Sequence, residues 1–299
     1  MKKYKFCLWL IERLSLRRMT LAEIAEEWSK SALNDDADIL NPRTFQRYRS
    51  AAEQLFNVII ECDKTVNSYF IKENSELDEW LMSAIRMHNL VNMVQKSHYI
   101  MLEKSPAGTQ NLEIILHAIQ NKKIIAFNYQ SPYQKKRQFE GFPLFLRLFK
   151  QRWYVVLQAG DKEFLSILAL ERMTDIHVKV KPDGLIKTPK ISPHDFFKYS
   201  FGIIHGDRPQ KIIIRAFWPQ DKYLLENPIH ESQTMIYANE NWSDFQLFLD
   251  PTYDFKQELL WQREKVSVLE PEWLKNDMID ILKRMIKSYE TGEPNCKDE

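Results

Sequence analysis

Residues 137–176 read RQFEGFPLFLRLFKQRWYVVLQAGDKEFLSILALERMTDI. At the centre, Trp153-Tyr154-Val155-Val156-Leu157 is a run of aromatic and β-branched residues with the character of a buried strand. Apolar runs lie on either side with turn residues between them, which predicts a small barrel or strongly curled sheet. The charge is as telling as the pattern. From Lys122 to Arg152 there are eight basic residues (Lys122, Lys123, Lys135, Lys136, Arg137, Arg147, Lys150, Arg152) against one acid, Glu140. A compact β module, cationic at its mouth, in a chain of net charge +1 points to an anionic ligand.

Working back toward the N-terminus, Ile124–Tyr129 is a strand and residues 111–121 a helix leading into it. Ser105-Pro106-Ala107-Gly108 breaks the pattern and is the best linker candidate. Before it, residues 75–103 form one long helical pattern with an apolar side of Leu77, Leu81, Ile85, Leu90, Val94 and Ile100, suited to a linker or a dimerisation surface. His88 and His98 on it have no acidic or cysteine partner at ligand spacing and read as structural.

The first 74 residues make a second pattern. A helix over about 4–18 is followed by Thr20, which with Glu23 forms a capping box ahead of Leu21, Ile24, Ala25 and Trp28. Asn41 and Pro42 suit the cap and first position of another helix, NPRTFQRYRSAAEQLFN, whose buried face is Phe45, Tyr48, Ala52, Leu55 and Phe56. Arg43, Thr44, Gln46, Arg47 and Arg49 point elsewhere, near that helix's N-terminus. A recognition helix needs such side chains: arginine for phosphate or guanine, glutamine for adenine. Two short strands around Lys64-Thr65-Val66-Asn67-Ser68 would form a wing, with Lys64 at its tip. The order is that of a winged helix-turn-helix; the plainer alternative is a solvated basic face on an ordinary helical domain.

Beyond the central stretch, a strand over Asp175–Lys181 and a Pro-Asp-Gly turn lead to SPHDFFKYSFGII, residues 192–204, a Phe-rich helix capped by Ser192 and docked on the barrel. From Pro209, strands and helices alternate as a small α+β sandwich. Its 17 acids against 11 bases make it a poor surface for DNA. The polar tail, residues 291–299, reads as disordered.

Composition narrows the function classes. The chain of 299 residues is long enough for several cores, and 7 glycines disfavour folds built on glycine-rich phosphate loops. Cys7, Cys62 and Cys296 are far apart, without zinc-ribbon spacing or a disulfide framework, as in a reduced cytoplasmic protein. The basic start MKKYKFCLWLIERL reads as a helix rather than a signal peptide, and no apolar run is long enough for a bilayer. His117, His177, His194 and His205 lack readable partners, and neither a nucleophile elbow nor metal-ligand spacing is present. Neither an enzyme, a cofactor nor a metal is expected.

In this order the pieces resemble the WYL-domain transcriptional regulators. The resemblance covers nearly the whole chain. It is carried by TLAEI…NPRTFQRYRSAAEQLF with a wing after it, Phe127-Asn128-Tyr129, Arg137 leading to Pro143 and Trp153-Tyr154-Val155, and LALERMTDI. The resemblance implies a multidomain α+β chain: a winged helix-turn-helix (1–74), a helical linker or dimerisation region (75–108), an Sm-like/SH3-like β-barrel (109–205), a C-terminal extension domain (206–290) and the tail. It implies ligand contacts at Tyr129, Arg137, Tyr154 and Arg172, with Glu171 where the family usually has aspartate. Where the family often has an arginine six residues before Arg172, this chain has Ser166. A pocket short of one guanidinium binds a polyanion less well unless Arg147, Arg152 or Lys150 substitutes. Tyr154 has the alternative role of a barrel-core tyrosine with a satisfied hydroxyl.

The expected function is a homodimeric, DNA-binding regulator acting on an inverted-repeat operator, its affinity set by an anionic ligand (a nucleotide or single-stranded nucleic acid). A second reading is an accessory protein of an antiphage or DNA-repair system, holding single-stranded nucleic acid on the barrel by phosphate contacts and stacking.

Overall fold

The computed structural model describes residues 2–31, 33–34, 39–56, 58–72, 103–159, 165–179 and 191–293. The long helix expected over 75–103 falls, except for Glu103, outside them, as do the Pro-Asp-Gly turn and the last six residues of the tail. The chain divides into two compact units, Met1–Glu103 and Lys104–Glu299.

In the first unit, α1 (Lys2–Leu16), α2 (Leu21–Ser29) and α3 (Pro42–Phe56) pack with strands β1 (Met19–Thr20), β2 (Ile60–Asp63) and β3 (Ser68–Ile71). The capping box forms: Glu23 N–H donates to Thr20 Oγ1, and Thr20 N–H to the Glu23 carboxylate at 2.7 Å. Asn41 Oδ1 accepts from Thr44 N–H at 2.8 Å and opens α3. Phe6 lies at the middle of the core, edge-on to Trp28 at 5.0 Å and against Trp9 and Tyr48. Strand β1 was not legible: Met19–Thr20 extends only because β3 offers it a free edge, pairing Met19 with Tyr69 and Thr20 with Ser68. With β1 between α1 and α2 and the β2–β3 hairpin after α3, the sheet order β1-β3-β2 is the winged helix-turn-helix arrangement. Asn67, at φ 49°, turns the wing, and Thr65 N–H donates to Asp63 Oδ1.

The second unit opens with a 3₁₀ turn and α4 (Leu112–Gln120), then β4 (Ile124–Tyr129), β5 (Arg137–Phe149), β6 (Arg152–Gln158), β7 (Leu165–Ala169) and β8 (Met173–Lys179), in sheet order β7-β6-β5-β4-β8. The curl comes from β5. Its first half, Arg137–Gly141, pairs with β4, and its second half, from Phe142 onward, pairs with β6. A bulge between Pro143 and Phe145 takes up the bend, where proline has no N–H to offer a ladder. Gly141 sits at the changeover, where a Cβ would come within 2.5 Å of the Gln158 carbonyl oxygen. Ile115 and Ala118 of α4 close one end against Ile125, Phe127, Val155, Leu157 and Leu170.

Two expectations about the flanks change. Ala107 and Gly108, read as linker, are tied to the barrel: Trp153 N–H donates to the Ala107 carbonyl at 3.0 Å, and Ala107 N–H to that of Gln151 at 2.9 Å. The helix expected over 192–204 stops at Phe197, giving a five-residue α5 (Pro193–Phe197) with its Ser192 cap in place. The following N–H groups are drawn elsewhere, Gly206 N–H to Ser200 Oγ and Ile204 N–H to Asp254, while Asp250 N–H donates to the Tyr199 carbonyl. Phe196 and Phe197 do dock on the barrel, edge-on to Phe145 at 5.5 and 6.1 Å.

The remainder is an antiparallel sheet of β9 (Gln210–Phe217), β10 (Thr234–Ala238), β11 (Trp242–Leu249) and β12 (Val266–Glu270) in the order β10-β11-β9-β12. Helices α6 (Gln220–Glu226), α7 (Tyr253–Trp261) and α8 (Glu272–Thr291) accompany it. Ile212, Ile214, Phe245, Leu247, Phe255 and Leu274 form its core. Arg215 and Asp244, partners in register, make a two-pronged ion pair at 2.7 and 2.8 Å across it.

Candidate nucleic-acid interface and anion site

The helix α3 buries Phe45, Ala51 and Ala52 and turns its opposite face outward. Arg43, Gln46 and Arg47 are exposed there, and Thr44 and Arg49 half-buried. These side chains are not equally free. Gln46 Nε2 donates to the Tyr69 hydroxyl of β3 at 3.3 Å, so its amide braces helix against wing. Arg49 lies 3.9 Å from Glu53 one turn on, and above the Tyr69 ring. Arg47 lies over Tyr48, and neither it nor Arg43 meets an acid among the described residues. The first turn of α3 carries no acid, so its positive end and the two arginines act in the same direction on an anion. Lys64 is exposed at the wing turn.

On the barrel, the basic residues divide by what they already hold. Arg152 Nη2 stands 2.6 Å from Glu171 Oε1, Lys150 Nζ 2.9 Å from Glu258, and Lys136 3.5 Å from Asp175. Tyr154 is buried, 7 % exposed, and its phenol is pushed up by that burial while Arg152 beside it pulls the other way. The hydroxyl of Tyr129 accepts from Ala169 N–H at 3.3 Å, and Ala169 is the strand partner of Tyr154. Tyr129 thus reaches across the seam between β7 and β8. Arg137, its partner in register, is exposed, and Arg172 is half-buried in the 3₁₀ turn that joins those strands. Among the described residues neither arginine meets an acid. Ser166 pairs with Leu157, on the side of β7 that Leu168 turns to the core. Arg147 takes a different course. Its guanidinium stacks on Phe197 at 4.0 Å, under the segment that runs into the extension.

Glu171 stood out in the sequence as a substitution within a motif; its effect comes from where Arg152 stands. Both carboxylate oxygens are shielded from solvent and lack a hydrogen bond of good geometry, so the group acts on Arg152 chiefly by charge. An anionic ligand must compete with it. Glu171→Gln should therefore tighten binding of a labelled single-stranded oligonucleotide about five-fold, near the ~1 kcal/mol typical of a partly exposed pair. Fluorescence anisotropy at fixed low salt reads the change. Weaker binding would mean that Glu171 positions Arg152 instead of competing for it.

Taken by fold, the chain joins a winged helix-turn-helix to a curled five-stranded barrel with a cationic rim and an α+β extension. Within the barrel unit, residues 110–178 match the WYL domain. Comparison with curated proteins gives no match. Among solved structures the chain is similar to proteasome accessory factor B/C (PafBC) of Arthrobacter aurescens, at 17% identity and a TM-score of 0.43, over 99% of this chain and 48% of that one. It is also similar to a CRISPR Cas-related protein, at 10% identity and a TM-score of 0.42, over 86% and 76% of the two chains. The chain spans about half the length of the first of these. No helix among the described residues is long and apolar enough to cross a membrane.

Proposed function

We propose that this chain is a DNA-binding transcriptional regulator whose operator affinity is set by an anionic ligand at the WYL barrel. The observation that carries the reading is the pair Arg43 and Arg47, exposed and without acidic partners among the described residues on the outward face of α3 in a winged helix-turn-helix. Thr44 stands beside them as a base reader, Gln46 and Arg49 brace the helix and its wing, and Lys64 reaches phosphate from the wing. The ligand end rests on Arg137 of β5 and Arg172 of the 3₁₀ turn, with Tyr129 of β4 beside them, and on Arg152 when Glu171 releases it. Tyr154 supports Arg152 from within the sheet. A homodimer would place two α3 helices on an inverted repeat with half-sites about one helical turn apart, or a multiple of it. The ligand can shift DNA affinity only by binding the DNA-competent and incompetent arrangements unequally.

The test is a titration of the full chain with duplex DNA from upstream of its own gene, with and without a short single-stranded oligonucleotide or a nucleotide. Retarded duplex at an inverted repeat, with a midpoint that moves when the ligand is added, is the expected result. A midpoint that never moves removes ligand control, and absence of duplex binding removes the regulator. Uncommitted arginines beside Tyr129 also favour a second reading, an accessory protein that holds single-stranded nucleic acid on the barrel. In that case the oligonucleotide binds while no duplex does.

A further inference from the structure

Between the barrel and the extension lies a cleft of ≈ 440 Å³ lined by a half-buried cation, Arg147, with no carboxylate at ion-pair distance among the described residues. Arg147 enters it from β5. Its Nη2 donates to the Phe201 carbonyl at 3.2 Å; Nη1 is shielded from solvent and has no hydrogen-bond partner. The neighbouring cations, Lys150 and Arg152, are matched by Glu258 and Glu171. Burial pulls the guanidinium below its ordinary value, and Asp254 alone opposes this. That carboxylate is otherwise engaged, by Thr252 Oγ1 and by the N–H groups of Ile204 and Phe255. A guanidinium partly out of water with one N–H group unpaired is costly, and the cost falls when an anion joins it.

The cleft's shape indicates which anion. Phe197, Phe201, Pro228 and Ile229 give it apolar walls, and the exposed His194 and Lys198 stand at its rim. Glu231, also on the rim, faces His194 at 3.6 Å. His230 is spoken for, its Nδ1 held by the Ser232 hydroxyl at 2.8 Å and by Ser232 N–H. Guanidinium binds phosphate through parallel N–H groups, and aromatic walls accept a flat ring. We propose that this cleft binds a small phosphate-bearing molecule with a flat apolar body, of nucleoside monophosphate size, held by Arg147 with Lys198 at the rim. Such a ligand touches barrel and extension at once. The site uses residues other than Arg137 and Arg172 and stands whether or not the rim binds a ligand.

Calorimetric titration of the full chain at low salt, with adenosine monophosphate, inorganic phosphate and adenosine in turn, tests it. The monophosphate should bind, phosphate more weakly, and adenosine not measurably. Arg147→Gln should weaken the monophosphate by at least about tenfold and Lys198→Ala by about threefold, as befits a half-buried and a rim charge. In a chain carrying Arg137→Ala with Arg172→Ala, the part of the monophosphate binding that depends on Arg147 should remain, whatever the rim holds. Adenosine binding as well as its monophosphate, or no binding by the parent chain, overturns the proposal. So does loss in the Arg137/Arg172 variant with none in Arg147→Gln. Should Arg147→Gln melt early, Arg147→Lys keeps the charge and removes the fork; unchanged binding in it and in Lys198→Ala is equally fatal.

Discussion

Replacing Arg43 and Arg47 together by alanine is expected to weaken binding to an operator duplex by about 100-fold near 0.1 M salt, from roughly 1–3 kcal/mol per contact. The salt dependence should change with it. Each phosphate contact releases counter-ions, so loss of two lowers the slope of log affinity against log salt by about two. Fluorescence anisotropy with labelled duplex, repeated across a salt series, gives both numbers. The two arginines are singled out because the structure leaves them uncommitted, whereas the Gln46 amide is given to Tyr69 and Arg49 stands over Glu53. Gln46→Ala should accordingly act mainly through the helix–wing brace and leave the salt slope unchanged. A double variant that binds like the parent with the same slope would show that α3 does not touch DNA.

What was legible in the sequence was local, and what was not depended on partners far along the chain. Thr20 and Glu23 announce their helix because a capping box is closed within three residues, and Asn41 with Pro42 does the same for α3. Strands β4 to β6 show through their apolar runs. Strand β1 does not, because two residues carry no period and their extended form is imposed by β3. Helix α5 came out shorter than its Phe-rich pattern suggested. The pattern records that Phe196 and Phe197 are docked, but Ser200 and Asp250, fifty residues apart, take the backbone that would have continued the helix. The cationic run is the clearest instance. Counted along the chain it is one patch. Folded, Lys150 finds Glu258 and Arg152 finds Glu171, while Arg147 is carried by the sheet register beneath Phe197. Nothing near Lys150 in the sequence signals a carboxylate 108 positions away.

Phe45→Ala is expected to cost the first unit about 3–5 kcal/mol, the range for emptying a buried aromatic site. Phe45 is fully buried, and its ring meets Tyr69 edge-on at 4.7 Å. Domain stabilities run to about 5–15 kcal/mol in all, so the loss is a large share of what holds α3 in place. At about 4–8 °C per kcal/mol for a unit of this size, its melting transition should fall by more than about 12 °C. Circular dichroism on the full chain should show this transition moving while that of the barrel and extension stays. Anion binding at the barrel should persist at temperatures where duplex binding is gone. The comparison that isolates the cause is Gln46→Ala, which breaks the hydrogen bond to Tyr69 but leaves the core filled. It should shift melting by no more than the ~1 kcal/mol of one such bond. If Phe45→Ala moved the transition no further than that, α3 would be held by its caps and its contacts with α1, and the ring beneath the arginines would not be what presents them.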